Sequence, residues 1–199
     1  MLNQYKKTLL GLYAVLIAAC SSTPATQFYV LQALSSPTTQ TVTTEKKPLI
    51  GVGPLTLPAV LGRTQIVTQK SDNSIEMAEF HQWAAPLQEN IIAILSKNIA
   101  TLQPNALVKA YPWSIYGNMD YRIIIDITRF DSQLGKSATL EASWSIMEEK
   151  KHTIIHSGQT KISKPLPDAS YSSVASTFSW LLAEFSQQLA LAINALPRM

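Results

Sequence analysis

One thiol, three imidazoles and thirteen carboxylates are the groups in this 199-residue chain with the chemistry of nucleophiles, bases or metal ligands. Their spacing argues against a reaction. His81, His152 and His156 are too few and too spread for a metal site, and two residues four apart on one strand stand about 13 Å from each other. Glu148-Glu149 runs into Lys150-Lys151 and reads as a charged, solvated hairpin tip. Asp126 and Asp131 are five apart on an expected strand, an odd spacing that puts them on opposite faces. Asp120 follows Gly117-Asn118, which is turn chemistry. Ser157-Gly158 and Ser35-Ser36 lack the strand-turn-helix context of a nucleophile elbow. No glycine-rich phosphate loop occurs. The expectation is a protein without catalysis, cofactor or metal.

The thiol is a different matter. Lys6 and Lys7 form a positive start, Leu9 to Ala19 form an apolar run, and Ile17-Ala18-Ala19 lead directly to Cys20. That layout is a secretory signal. The run of eleven residues is well short of the roughly 20 that cross a bilayer as a helix. A small-residue cleavage site ending on a cysteine resembles the lipobox of bacterial lipoproteins; an ordinary cleaved signal with an incidental cysteine is the alternative. The resemblance implies that residues 1–19 are removed and that Cys20 is diacylated and acylated again on its new amino terminus. Several chains hold a protein to a membrane where one holds it only marginally. Ser21 resembles the residues that let lipoproteins travel onward, so the expected address is the outer membrane, lipid-anchored and facing the periplasm.

Removing residues 1–19 leaves 180 residues and lowers the formal charge from +3 to +1. The remaining lysines are scattered, which argues against a nucleic-acid partner. With Cys20 lipidated no thiol remains for a disulfide, so packing alone must hold one domain together. Residues 20–27 are a short polar tether, and 28–199 are the folded body. Fully extended, the eight steps from Cys20 to Phe28 span at most roughly 25–30 Å.

Within the body the period of the apolar residues changes. Phe28 to Leu31, Leu49 to Val52 and Gln65 to Thr68 read as strands, with Ile75 to Ala78 as a return strand after a turn at 71–74; Ser35 to Lys47 reads as a surface loop. Leu87, Ile91, Ile94, Leu95, Ile99 and Leu102 repeat at three or four, predicting a helix from Pro86 to Leu102 with Pro104 beyond it. Tyr121 to Asp131 and Ala138 to Glu148 alternate every second residue, and Thr153 to Ile162 follows less regularly. Short links make these three an antiparallel meander. Tyr171 to Leu196 is a second helix, capped by Asp168 or Ser170 and stopped by Pro197. The expected fold is a single α/β domain, one mixed sheet with a C-terminal antiparallel meander flanked by two main helices.

The stretch from Val52 to Arg63 is the distinctive one. Pro54 and Pro58 forbid a helix or a central strand there, while Leu55, Leu57, Val60 and Leu61 are apolar for a loop. The segment must cover the domain's own core or offer an apolar ledge to a partner. Tyr29, Leu55, Leu57, Leu61 and Arg63 are the candidate contacts with a partner or a lipid.

Four segments carry a family resemblance over the whole body: Phe28-Tyr29-Val30-Leu31; Val52-Gly53-Pro54-Leu55-Thr56-Leu57-Pro58 running into Arg63-Thr64-Gln65-Ile66-Val67; Trp83-Ala84-Ala85-Pro86-Leu87; and Tyr111-Pro112-Trp113. Together they resemble the PqiC-type, or ABC-type transport auxiliary, lipoproteins. Gly62 and Thr64 depart from the Asp and Pro that often flank the arginine in that family. The resemblance implies an outer-membrane lipoprotein that docks a periplasmic MCE-domain protein, works through it with an inner-membrane transporter to move lipids, and assembles as a homo-oligomeric ring. A periplasmic lipid-binding carrier with no fixed MCE partner is the alternative.

Overall fold

The computed structural model describes residues 24–35, 47–71, 73–113 and 116–196. Cys20, the signal, the tether up to residue 23, most of the 35–47 loop and Pro197 lie outside the described residues. The elements are β1 (Gln27–Tyr29), β2 (Leu49–Thr56), a 3-10 turn (Ala59–Leu61), β3 (Gln65–Ser71), β4 (Ser74–Trp83), α1 (Leu87–Leu102), β5 (Leu107–Ala110), β6 (Tyr121–Gln133), β7 (Ser137–Glu148), β8 (Thr153–Pro165) and α2 (Tyr171–Asn194).

The main sheet has five strands in the order β5-β2-β6-β7-β8. Its first three run parallel, and β6, β7 and β8 form the expected antiparallel meander. Tyr121, Ile123, Ile125 and Ile127 of β6 and Ala138, Leu140, Ala142, Trp144 and Ile146 of β7 are buried on the helix side. The mixed α/β domain with two main helices is as the periodicity predicts. The single sheet is not: β1, β4 and β3 make a separate three-stranded sheet, β1 parallel and β3 antiparallel to β4. Pro58 has no N–H to continue the β2 ladder, and the 3-10 turn after it redirects the chain.

Two further readings are corrected by bulges. Pro54 does lie in a central strand, because the β2–β6 register slips between Val52 and Leu55 and leaves an extra residue there. A proline is tolerated where the ladder is already broken. A second slip between Ile127 and Arg129 flips the parity of β6, so Asp126 and Asp131 share the outer face instead of opposing each other. β5 carries no mark in the sequence, because four residues are too few to display an alternation. His152 is in the turn before β8, at φ 49°, and not on the strand.

Side chains bind α2 at both of its ends. Ser170 Oγ accepts the Ser173 N–H at 3.1 Å, and Asp168 Oδ1 accepts the Ser170 N–H at 2.8 Å. At the far end Gln103, just past α1, donates to the Ala190 carbonyl and to the Asn194 side-chain oxygen Oδ1 at 2.9 and 3.0 Å, which ties the C-terminal ends of the two helices together. Hydrogen bonds from Ser170 and Ser173 hold the Asp168 carboxyl below the ordinary aspartate value. A depressed carboxylate stabilises above its unfolded pKa of about 4 and stops doing so as pH falls through the folded value. Asp168→Asn keeps the accepting oxygen and removes the charge. It is therefore expected to lower the melting temperature at pH 6 and to converge with wild type in acid; equal deficits at both pH values would contradict the assignment.

Phe178 joins the layers. It stacks on Trp83 of β4 at 6.1 Å and meets Phe130 of β6 in a tilted pair at 4.0 Å between ring centroids. Phe178 thus brings α2 against both sheets, and Leu181, Leu182, Phe185 and Leu189 of the same helix are buried in the core.

Candidate functional site

Three of the four distinctive segments meet at one end of the domain. The end of β1, the turn between β2 and β3, and the junction from β4 into α1 are tied by backbone bonds: Ala84 N–H to Tyr29 O at 2.9 Å and Trp83 N–H to Thr64 O at 2.7 Å. Gln88, in the first turn of α1, donates to the Leu55 carbonyl at 2.6 Å. The 3-10 turn closes through Leu61 N–H to Pro58 O and Gly62 N–H to Ala59 O, at 2.9 and 3.1 Å.

The five candidate contacts separate here. Leu55 and Leu61 lie in the hydrophobic core, and Leu57 is half-buried against it. Tyr29 is half-buried, its hydroxyl 2.8 Å from Gln27 Oε1 and 2.7 Å from His81 Nδ1. Burial pushes the Tyr29 phenol up. On its other side His81 stacks on Tyr171, the first residue of α2, at 4.2 Å. Only Arg63 is fully at the surface. Around it Val60, Gly62, Thr64, Ala84, Ala85 and Pro86 are exposed too, which makes a largely uncharged surface of small residues about one guanidinium. Val60 was not among the candidates. A single 3-10 turn points Leu61 inward and Val60 outward, and apolarity alone does not distinguish them.

Arg63 differs from the other described arginines. Arg122 has Glu149 at 2.6 Å, and Arg129 has Asp131 at 2.6 Å and Glu141 at 3.6 Å. Among the described residues Arg63 has no hydrogen-bond or ion-pair partner.

The fourth segment sits on the outer face of the main sheet. Trp113 lies on Gly51, where an added Cβ would come 2.6 Å from the indole, and Tyr111 lies on Gly53 at the same distance. The two rings meet edge to face at 5.1 Å, and the Arg122 guanidinium covers the indole at 5.1 Å. These glycines are sockets for aromatic side chains, a role visible in the sequence only as glycines within a strand. Further along this face Arg129, Glu141 and Lys161 form an ionic ladder, Glu141 and Lys161 at 2.9 Å. Lys161, followed by Arg129, holds the Glu141 carboxyl below its ordinary value. Thr56 donates a short hydrogen bond to Asp126. Among the described residues no three His, Cys, Asp or Glu side chains group as metal ligands would, and no helix is long and apolar enough to cross a membrane.

This arrangement defines a small mixed α/β domain with an exposed, largely uncharged surface built from turns at one end. Two crystal structures share the fold. An uncharacterized protein aligns with a TM-score of 0.71 at 16% identity, over 85% of this chain and 99% of its own. Protein XCC0632 from Xanthomonas campestris aligns at 0.65 and 16% identity, over 82% of this chain and 92% of its own. The chain belongs to the ABC-type transport auxiliary lipoprotein component family, whose model matches residues 29–190. It is also similar to the intermembrane transport lipoprotein PqiC of Escherichia coli K12 and of Shigella flexneri, in each case 25% identical over 139 residues, covering 70% of this chain and 73% of the relative.

Proposed function

We propose that the protein is a lipid-anchored outer-membrane subunit of an intermembrane lipid transport system, held by acyl chains on Cys20, facing the periplasm and docking a periplasmic MCE-domain protein. It works through that protein with an inner-membrane transporter, as a homo-oligomeric ring, and performs no catalytic step itself. Membership of a transport auxiliary lipoprotein family and likeness to PqiC support the class of function.

The observation that carries the docking role is Arg63. An unpaired guanidinium on an exposed turn gives up no existing ion pair when a partner carboxylate approaches. Its surroundings are small residues that let another backbone come close. The surface also joins three segments far apart in the chain, so its shape depends on the whole fold.

Reversing the charge tests this. Arg63→Glu is expected to lower recovery of an MCE-domain protein at least tenfold, since truncating or reversing a charge in a docked pair costs roughly 2–5 kcal/mol. The melting temperature should stay unchanged, because no contact within the domain is lost. Undiminished recovery would remove Arg63 from the interface. The carrier alternative requires room for an acyl chain under α2, but Phe178, Leu181, Leu182, Phe185 and Leu189 are packed against the sheets there.

A further inference from the structure

β1 is an edge strand, and its side chains alternate. Tyr29 and Leu31 turn inward, while Phe28 and Val30 turn out and are 65% and 56% exposed. These large apolar side chains stand at the start of the domain, beside the chain's exit toward its anchor, and lie outside the core. Just beyond them the Gln32 N–H donates to Ser179 Oγ at 3.0 Å, which lays this part of the chain against the middle of α2. The next helix residue is Trp180, 37% exposed, with the Lys164 ammonium 4.2 Å above its ring. An exposed indole with a lysine over it is a pairing suited to a membrane interface, where the ring sits at headgroup level and the ammonium reaches the phosphates.

We propose that Phe28, Val30, Trp180 and Lys164 form a surface that lies on the phospholipid layer in which Cys20 is anchored. This rests on the reading of Cys20 as the lipidated residue. The occupant follows from where the chain leads: Phe28 is eight residues from Cys20, so the tether cannot take it farther than roughly 25–30 Å from the acylated position. A body held so closely meets the bilayer constantly. The side that meets it first is the one from which the tether emerges, and that side carries Phe28 and Val30. Contact there would also fix the orientation of the domain.

The sequence makes the test clean, because Cys20 is its only cysteine and lipidation consumes it. Single variants Phe28→Cys, Trp180→Cys and Leu191→Cys are made in the full-length, lipidated protein and labelled with an environment-sensitive fluorophore. Each is reconstituted into vesicles of phosphatidylethanolamine and phosphatidylglycerol carrying a nitroxide lipid. Leu191 is the control: it is 70% exposed and apolar, but sits near the far end of α2. Labels at 28 and 180 are expected to be quenched at least threefold more than the label at 191. Equal quenching at all three, in protein that still floats with the vesicles, would overturn the surface while leaving the anchor intact. Protein that fails to float would overturn the Cys20 reading and the surface with it. A label at 28 that neither the nitroxide lipid nor a water-soluble quencher reaches would mean that a second protein copy covers the strand, which also overturns the proposal.

Discussion

Phe178→Ala is expected to cost about 3–5 kcal/mol of unfolding free energy, the usual range for deleting a fully buried phenylalanine. Three elements converge on this ring, Trp83 from the small sheet, Phe130 from the main sheet and α2 itself. Truncation opens a cavity where rings from both sheets meet the same helix. The walls are strands paired on both sides, so they cannot collapse far into it. For a domain of this size the loss corresponds to a fall of roughly 6–20 °C in melting temperature. Phe178→Leu keeps most of the volume and should lose clearly less, since swaps that conserve volume usually cost below about 1.5 kcal/mol. Urea unfolding of the two variants is the measurement. Similar, small losses would mean that the sheets are held together elsewhere.

Gly53→Ala is the second large effect. Gly53 has φ near +120°, a conformation that residues with a Cβ rarely adopt, and an added Cβ would lie 2.6 Å from that of Tyr111. Backbone strain of about 1–3 kcal/mol adds to an overpacking cost of about 1–3 kcal/mol. Gly117 is the internal control. Its φ is +75°, but nothing lies within 4 Å of an added Cβ, so Gly117→Ala should lose only the strain. The gap between the two contains the close approach together with the less favourable φ of Gly53. If both substitutions cost the same, the Tyr111 socket contributes nothing.

The two helices, the meander and the cap at Ser170 were legible because each repeats a physical signal many times. Six apolar positions at helical spacing, or the nine alternating residues from Ala138 to Ile146, outweigh any single exception. What the sequence hid were single-residue events. One extra residue at Gly53-Pro54 turns an apparent strand breaker into a bulge within a central strand. Another at Thr128 brings Asp131 onto the face of Asp126. Parity arguments run through any strand until a bulge breaks them, and a bulge has no reliable mark in sequence. The ledge at 55–61 shows the same limit. Leu55 and Leu61 meet the core, Leu57 lies at its margin and Val60 is exposed, yet all four are simply apolar. Arg63 stands out only once the partners of Arg122 and Arg129 are known, because pairing is a property of the fold.

The docking of an MCE-domain protein is tested most directly by crosslinking intact envelopes that contain the tagged, lipidated protein, then purifying it and identifying what is attached. The account predicts an MCE-domain protein in the wild-type sample and its loss, at equal protein level, with Arg63→Glu. If wild type is recovered without such a protein, the docking role is contradicted, and the family membership would describe the fold of this chain without its work in the envelope.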